Sequence, residues 1–375
     1  MKNRIGIVGG GQLGRMMAFE AHKMGFRVTI LDPTPESPAG QVADEQIVAQ
    51  YSDKQALTKL AKKSDVITYE IELENSDIFD NLIENGAVIH PSITSFKLIN
   101  DKYLQKEFFK KNGIPVADFL EVENKEDILK AVKKFGYPIF LKTRRFAYDG
   151  RGNALIRKAS DIDKSLNSLQ GSGLYVEKFV PFVKELAIMV ARNTEGEIAT
   201  YPVVETIHKN NICHIVKAPA PIKKNISKKT QVLAKKVMQQ LQGAGVFGIE
   251  MFLTKRGQVL VNEIAPRVHN SGHYTIEACI TNQFEQHIRA ITGLPLGQTD
   301  MIVPAAVMIN ILGGRTGVAQ VTGMDDALRL PQTYVHIYGK KDTKMERKMG
   351  HITAIDKTIQ NAYKKAKRAR MFITI

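Results

Sequence analysis

Short apolar runs alternate with amphipathic stretches over the first ninety residues. Runs at 4–8, 27–31, 65–69 and 87–90 have the length of buried strands, and stretches at 12–24, 54–63 and 75–85 repeat apolar positions at helical spacing. That βαβ rhythm predicts a parallel sheet with helices on its faces. His90-Pro91 closes the unit, a helical stretch follows at 95–112, and Gly113-Ile114-Pro115 turns the chain into different material. There the pattern predicts a helix at 125–135 and strands at 138–142 and 153–157 around a glycine-rich loop. Longer strands follow at 174–180, 185–192, 197–206 and 212–218, then a helix at 228–241. Two further strands, 246–253 and 258–264, flank Thr254-Lys255-Arg256-Gly257, which reads as a hairpin turn. Beyond residue 300 come strands at 302–311, 334–338 and 350–355 and a final basic helix. The fold class is therefore α/β followed by largely antiparallel α+β, divided at 1–95, 96–295 and 296–375.

Length agrees with this division, since 375 residues exceed one ordinary core. No apolar run approaches the ~18 residues that span a bilayer, and Arg4-Ile5-Gly6-Ile7-Val8 reads as a strand entering a glycine turn, not as a signal peptide. Cys213 and Cys279 each sit in an apolar run, so no disulfide framework or metal cluster is implied. A cytoplasmic protein with no membrane partner is expected. The net charge of +15 raises the question of nucleic acid. The basic residues are dispersed, without aromatic-interleaved motifs, which disfavours that reading and leaves a solvated Lys-rich surface or anionic substrates.

Gly9-Gly10-Gly11-Gln12-Leu13-Gly14 matches G-x-G-x-x-G after a strand and before a helix, and Asp32 ends the next strand. Taken alone this suggests a dinucleotide-binding oxidoreductase. The physics is more general: glycines admit a close ligand, and a helix N-terminus offers unpaired N–H groups to an anion. We expect anion or substrate contact here ahead of a merely tight turn, and a nicotinamide cofactor last.

Glu250 in Gly248-Ile249-Glu250-Met251-Phe252 and Glu263 in Val259-Leu260-Val261-Asn262-Glu263 interrupt two apolar strands with acids whose burial is costly unless compensated. About the hairpin turn the two can face each other, and a cation between them would relieve the repulsion. Oxygen ligands completed by nucleotide phosphates favour Mg²⁺ over zinc. The alternative is a pair of solvent-facing glutamates.

Tyr137-Pro138-Ile139-Phe140-Leu141-Lys142 ends an apolar strand with a cation suited to a phosphate or a purine edge. Thr143-Arg144-Arg145-Phe146-Ala147-Tyr148-Asp149-Gly150-Arg151-Gly152-Asn153 follows as a flap able to close over phosphates with backbone N–H groups. In Glu177-Lys178-Phe179-Val180 the backbone can read an adenine edge, while Glu185 can accept ribose hydroxyls.

In this order and spacing the residues resemble the ATP-grasp superfamily, over essentially the whole chain. Gly9-Gly10-Gly11-Gln12-Leu13-Gly14-Arg15-Met16, Ala147-Tyr148-Asp149-Gly150-Arg151-Gly152 and Asn262-Glu263-Ile264-Ala265-Pro266-Arg267-Val268-His269-Asn270-Ser271-Gly272-His273 resemble, within it, the N5-carboxyaminoimidazole ribonucleotide synthase family of purine biosynthesis. The resemblance implies a Rossmann-like N-terminal domain, a central ATP-grasp domain and a small β-rich C-terminal domain. It implies that ATP and bicarbonate give carboxyphosphate, which carboxylates 5-aminoimidazole ribonucleotide, and that the protein is a homodimer. The implied ATP site comprises Lys102, Lys142, Ala147, Tyr148, Asp149, Gly150, Arg151, Gly152, Asn153, Glu177, Lys178, Phe179, Val180, Glu185, His208, Asn262 and Glu263, with Glu250 and Glu263 on Mg²⁺. The ribonucleotide would meet Gln12, Leu13, Glu70, Tyr148 and Arg151, with its 5′-phosphate near Lys340, Arg347 and Lys348. Arg267 and His269, with Asn270 beside them, would orient bicarbonate, and Asp149 would take the amine proton or fix Tyr148 and Arg151. His208, not His214, follows from the resemblance. Ala147, Asn153 and Lys102 depart from the usual glycine, glutamine and arginine. The formate-using glycinamide ribonucleotide transformylase has the same fold but usually carries Glu-Leu where Gln12-Leu13 stands. A nucleotide-binding protein without activity is the rival from another class.

Overall fold

The structure, a computed structural model, describes residues 3–72, 77–145, 152–169 and 173–375. The N-terminal sheet is parallel, in the order Glu45–Val48, Arg27–Asp32, Arg4–Val8, Val66–Tyr69, with the helices Gln12–Lys23 and Lys54–Lys63 packed against it. Glu45–Val48 is a strand that the apolar pattern does not reveal, because only Ile47 in it is buried. The expected strand at 87–90 reduces to one parallel bridge between Ile67 and Ile89.

The stretch 95–112 is two helices, Ile93–Asn100 and Lys102–Lys111. Asp101 divides them: its carboxylate accepts the Tyr103 and Leu104 N–H groups, capping the second helix. The same carboxylate receives Arg144 through Nε and Nη2, which fastens the end of the Ile139–Thr143 strand to that helix.

Phe119–Val122, Leu174–Lys178, Ile139–Thr143 and Asn153–Ile156 form an antiparallel sheet in that order. A second sheet has nine strands. It begins with the hairpin Val259–Ala265 and Gly245–Thr254 and continues through Phe182–Arg192, Val204–Lys209 and Ile212–Ala218. It ends with Ala305–Leu312, Lys348–Asp356 and Thr333–Ile337, and Ile198–Thr200 pairs on the side. The strand expected over 197–206 is interrupted at Pro202, which has no N–H for a ladder. The three strands expected beyond residue 300 join the same sheet, because Ile212–Ala218 pairs directly with Ala305–Leu312, whereas Gly317–Val318 and Asp342–Thr343 pair only with each other.

Side chains alternate across the central strands as their period of two requires. Ile249, Met251 and Leu253 point into a core with Leu186, Ile188 and the helix residues Ala234, Val237 and Met238. Glu250 and Phe252, between them, are left on the opposite face, where a large cavity opens. Among the described residues no helix is long and apolar enough to cross a membrane.

Candidate functional site

The cavity has a volume of about 1520 Å³, and both sheets, the Lys102–Lys111 helix and the glycine turn contribute to its walls. This exceeds the ~300–1,000 Å³ typical of a pocket for one small ligand, so two can be held side by side.

On the hairpin wall Glu250 is paired directly with Glu263. Counting from Met251 opposite Val261, a regular ladder would have placed Asn262 there instead. A β-bulge at Asn262 shifts the register by one and turns Glu263 onto the face of Glu250. Burial, and then the charge of Glu263, push the Glu250 carboxyl above its usual range. Glu263, more open to the cavity, moves the other way despite partial burial, because the Lys102 ammonium lies at 3.2 Å. Two opposed carboxylates, one resisting ionisation, fit a divalent cation. No group of three His, Cys, Asp or Glu side chains among the described residues could hold a metal alone. Phosphate oxygens and water would have to complete an oxygen shell, as suits Mg²⁺.

On the smaller sheet Lys142 donates to Glu177 Oε1 at 2.8 Å, and Lys106 grips the other carboxylate oxygen. Burial raises the Glu177 carboxyl, but the two ammonium groups prevail and bring it down to about 2. Phe140, Phe179, Val180 and Asn153 line the cavity beside Lys142. Lys178 does not: its side chain turns outward to Asp118 at 3.5 Å, because successive residues of a strand face opposite ways. Gly152 adopts φ 79° and its carbonyl accepts the Thr143 N–H. Ala147, Tyr148, Asp149, Gly150 and Arg151 lie outside the described residues.

Glu185 and His208 form a close ion pair on adjacent strands, and both line the cavity. Burial lowers the His208 pKa, yet the hydrogen bond its ring donates to the Glu185 carboxylate, with the nearby acidic charge, raises it overall. His214 is not part of the lining.

The glycine turn is filled by the chain's own acids. Gly10 N donates to Asp32 at 2.7 Å, and the Tyr51 hydroxyl donates to Asp32 at 2.6 Å. Gly11 N and Gly14 N donate to the two oxygens of Glu70, the latter at 2.6 Å. A Cβ at Gly11 would collide with that carboxylate. The helix N-terminus that would greet a pyrophosphate is thus occupied by Glu70, and the acid that would greet a ribose is turned inward. Gln12, Leu13 and Glu70 remain on the cavity wall.

Arg267 meets Glu72 at 3.3 Å, and His269 Nε2 lies 3.8 Å from Glu250. The backbone of His269 is held at both N–H and C=O by the Gln283 amide, at 2.9 Å each. Asn270 pairs with Asn310 of the strand Ala305–Leu312. Lys340, Arg347 and Lys348 line the same cavity; Lys340 Nζ donates to the Lys348 carbonyl at 2.8 Å. Sequence reasoning missed Gln105, Lys106, Glu72, Gln283 and Asn310. For Gln105 and Lys106 a signal existed: with Lys102 and Phe109 they recur at helical spacing on one face, so polar residues stand where apolar ones are expected.

Fold and site together define a member of the ATP-grasp superfamily. Residues 1–100 match the ribonucleotide synthetase preATP-grasp domain, 107–284 the ATP-grasp domain, and 306–365 the phosphoribosylaminoimidazole carboxylase C-terminal domain. The chain belongs to the N5-carboxyaminoimidazole ribonucleotide synthase family. It is 42% identical to that synthase from Bacillus subtilis over 349 residues, covering 93% of this chain and 90% of the other. The N5-carboxyaminoimidazole ribonucleotide synthetase structure from Thermotoga maritima superposes with a TM-score of 0.90 at 49% identity, over 100% of this chain and 99% of that one. The Aspergillus clavatus synthase solved with ADP and 5-aminoimidazole ribonucleotide gives 0.90 at 35% identity over 98% of each. The chain spans about two thirds of the length of the phosphoribosylaminoimidazole carboxylases it also matches.

Proposed function

We propose that the protein carboxylates 5-aminoimidazole ribonucleotide with bicarbonate at the expense of ATP, giving N5-carboxyaminoimidazole ribonucleotide, ADP and phosphate. The observation that carries this reading is the Glu250–Glu263 pair facing a cavity that also holds Lys102, Lys142 and Arg267 and has room for two ligands.

Glu250 and Glu263 would hold Mg²⁺, which when bound neutralises phosphate charge. Lys102 and Lys142 offer further positive charge to a triphosphate, and such neutralisation is most of what phosphoryl transfer requires. The segment Glu177-Lys178-Phe179-Val180 would receive adenine through backbone groups and the Phe179 and Val180 side chains, with Glu185 and His208 at the ribose. Arg267 and His269 would orient bicarbonate. Burial and the neighbouring Arg267 hold His269 well below its usual pKa, so it faces an anion as a neutral hydrogen-bonding group. Gln12, Leu13 and Glu70 would receive the ribonucleotide, and Lys340, Arg347 and Lys348 its phosphate. Gly152 and Asn153 belong to the flap that would exclude water from carboxyphosphate. Tyr148, Asp149 and Arg151 enter this proposal on sequence resemblance alone.

We further propose a cytoplasmic homodimer with domain borders at 95/96 and 295/296. Phosphate release from ATP tests the reaction. We expect ADP formation stimulated by bicarbonate with aminoimidazole ribonucleotide, and none by formate with glycinamide ribonucleotide; the opposite preference overturns the assignment.

A further inference from the structure

Lys106 lies outside the ligand shell described above, yet it is buried and touches two of its walls. The strand Val259–Ala265 is the edge of the nine-stranded sheet; its outer side makes a single bridge, Val261 to Val116, and among the described residues no neighbouring strand covers the rest. The Lys102–Lys111 helix supplies partners instead. Lys106 Nζ donates to the Asn262 carbonyl at 3.3 Å, and the Gln105 side-chain oxygen accepts the Ile264 N–H at 3.2 Å. These two backbone groups bracket Glu263. One turn earlier on the same helix face, Lys102 reaches the Glu263 carboxylate itself. The bulged segment is thus gripped before, at and after its acidic residue.

Lys106 also forms the buried ion pair with Glu177, whose other oxygen takes Lys142. One ammonium group therefore links the backbone beside Glu263 on the hairpin to Lys142 on the opposing sheet.

We infer that Lys106, with Gln105, is a positioning residue that sets the spacing between the metal-binding carboxylate Glu263 and the phosphate-binding Lys142. The inference rests on the proposed nucleotide site. A helix side chain that holds a ligand's backbone acts as outer-shell partners of metal ligands do: it fixes direction without touching the ion, and its loss weakens metal affinity about 10–100-fold. Removing the ammonium frees the bulge to relax and leaves Glu177 to draw Lys142 inward, away from phosphate.

The test is calorimetric binding of Mg·ADP to the full chain, with KM for ATP measured beside KM for the ribonucleotide. Lys106→Met is expected to raise the Mg·ADP Kd and the KM for ATP by about tenfold or more while the ribonucleotide KM stays within twofold. Lys106→Arg, which retains the charge, is expected to recover most of the loss. Gln105→Met keeps every charge and so folds even where Lys106→Met does not. It is expected to weaken Mg·ADP by about threefold or more. Mg·ADP affinity within twofold of wild type in the folded variants, with only the melting temperature lowered, overturns the inference and makes the contacts purely structural. A wild-type chain that binds Mg·ADP without turning over the ribonucleotide would instead defeat the proposed reaction and leave this inference standing.

Discussion

Asn270 and Asn310 exchange both side-chain amides: Asn270 Nδ2 donates to Asn310 Oδ1 at 3.0 Å, and Asn310 Nδ2 donates back at 2.7 Å. Asn310 also donates to the Cys213 carbonyl at 2.8 Å. Both asparagines are buried, Asn270 at the cavity wall, so these bonds are made largely out of reach of water. The pair ties the loop of Arg267, His269 and Asn270 to a strand of the C-terminal region.

From this pairing we expect Asn310→Leu to lower stability by about 1–3 kcal/mol, the cost of leaving a buried amide without its partner. Under the proposed function, the same variant should raise the KM for ribonucleotide more than that for ATP, since Asn270 would then stand with Arg267 and His269 on the substrate side of the cavity. Urea unfolding and steady-state kinetics measure the two effects; unchanged values in both would contradict the clamp.

Glu263→Gln keeps the volume of the side chain and removes its charge. With Glu250 resisting ionisation, Glu263 is the acid of the pair that Lys102 keeps ionised. Turnover should fall by at least about 100-fold, comparable to the loss of a group that stabilises transition-state charge. Circular dichroism should show the fold unchanged. Retained phosphate release would remove Glu263 from the metal site.

The sequence displays the hairpin plainly, because acids inside apolar strands violate the expected pattern and the turn between them sets approximate register. It does not display the bulge at Asn262, since one extra residue leaves no compositional trace. The parallel sheet is legible from its βαβ rhythm, but Glu45–Val48 is short and half-exposed and therefore silent. The glycine turn misleads for a physical reason: glycine is required wherever something approaches the backbone closely, whether cofactor phosphate or, as here, Asp32 and Glu70. Lys106 is partly masked by its type: a lysine on a helix is ordinarily a solvated surface residue, and only its spacing with Lys102, Gln105 and Phe109 marks it in the sequence as facing inward.

Gly11→Ala tests the turn. Its Cβ would collide with the Glu70 carboxylate that Gly11 N and Gly14 N hold, so Glu70 or the helix must move. Overpacking of this kind costs about 1–3 kcal/mol. Under the proposed function, ribonucleotide affinity should drop while Mg·ADP affinity persists, because the turn lines only the ribonucleotide end of the cavity. Titration with reduced nicotinamide nucleotides should give no fluorescence change in either protein. A saturable signal in the wild type would show that the turn accepts a pyrophosphate after all.

The buried Glu177 carboxylate predicts the shape of the acid limb of stability. Burial alone would raise its pKa; Lys106 and Lys142 bring it to about 2, against 4.5 for the free side chain. The unfolded chain therefore takes up a proton at higher pH than the folded one. The contribution of Glu177 to stability is complete above about pH 4.5 and is lost as pH falls toward 2. Lys106 shifts in the other sense for such a pair: burial outweighs Glu177 and lowers its pKa. That cost is constant through the acid and neutral range and is relieved only as pH rises far enough for the folded lysine to shed its proton, so the acid limb belongs to the carboxylate. We expect wild-type urea midpoints to decline more steeply between pH 4.5 and 2 than those of Glu177→Gln, although the variant is the less stable at pH 7. Parallel curves for the two proteins across that window would mean that Glu177 is not ionised between its lysines.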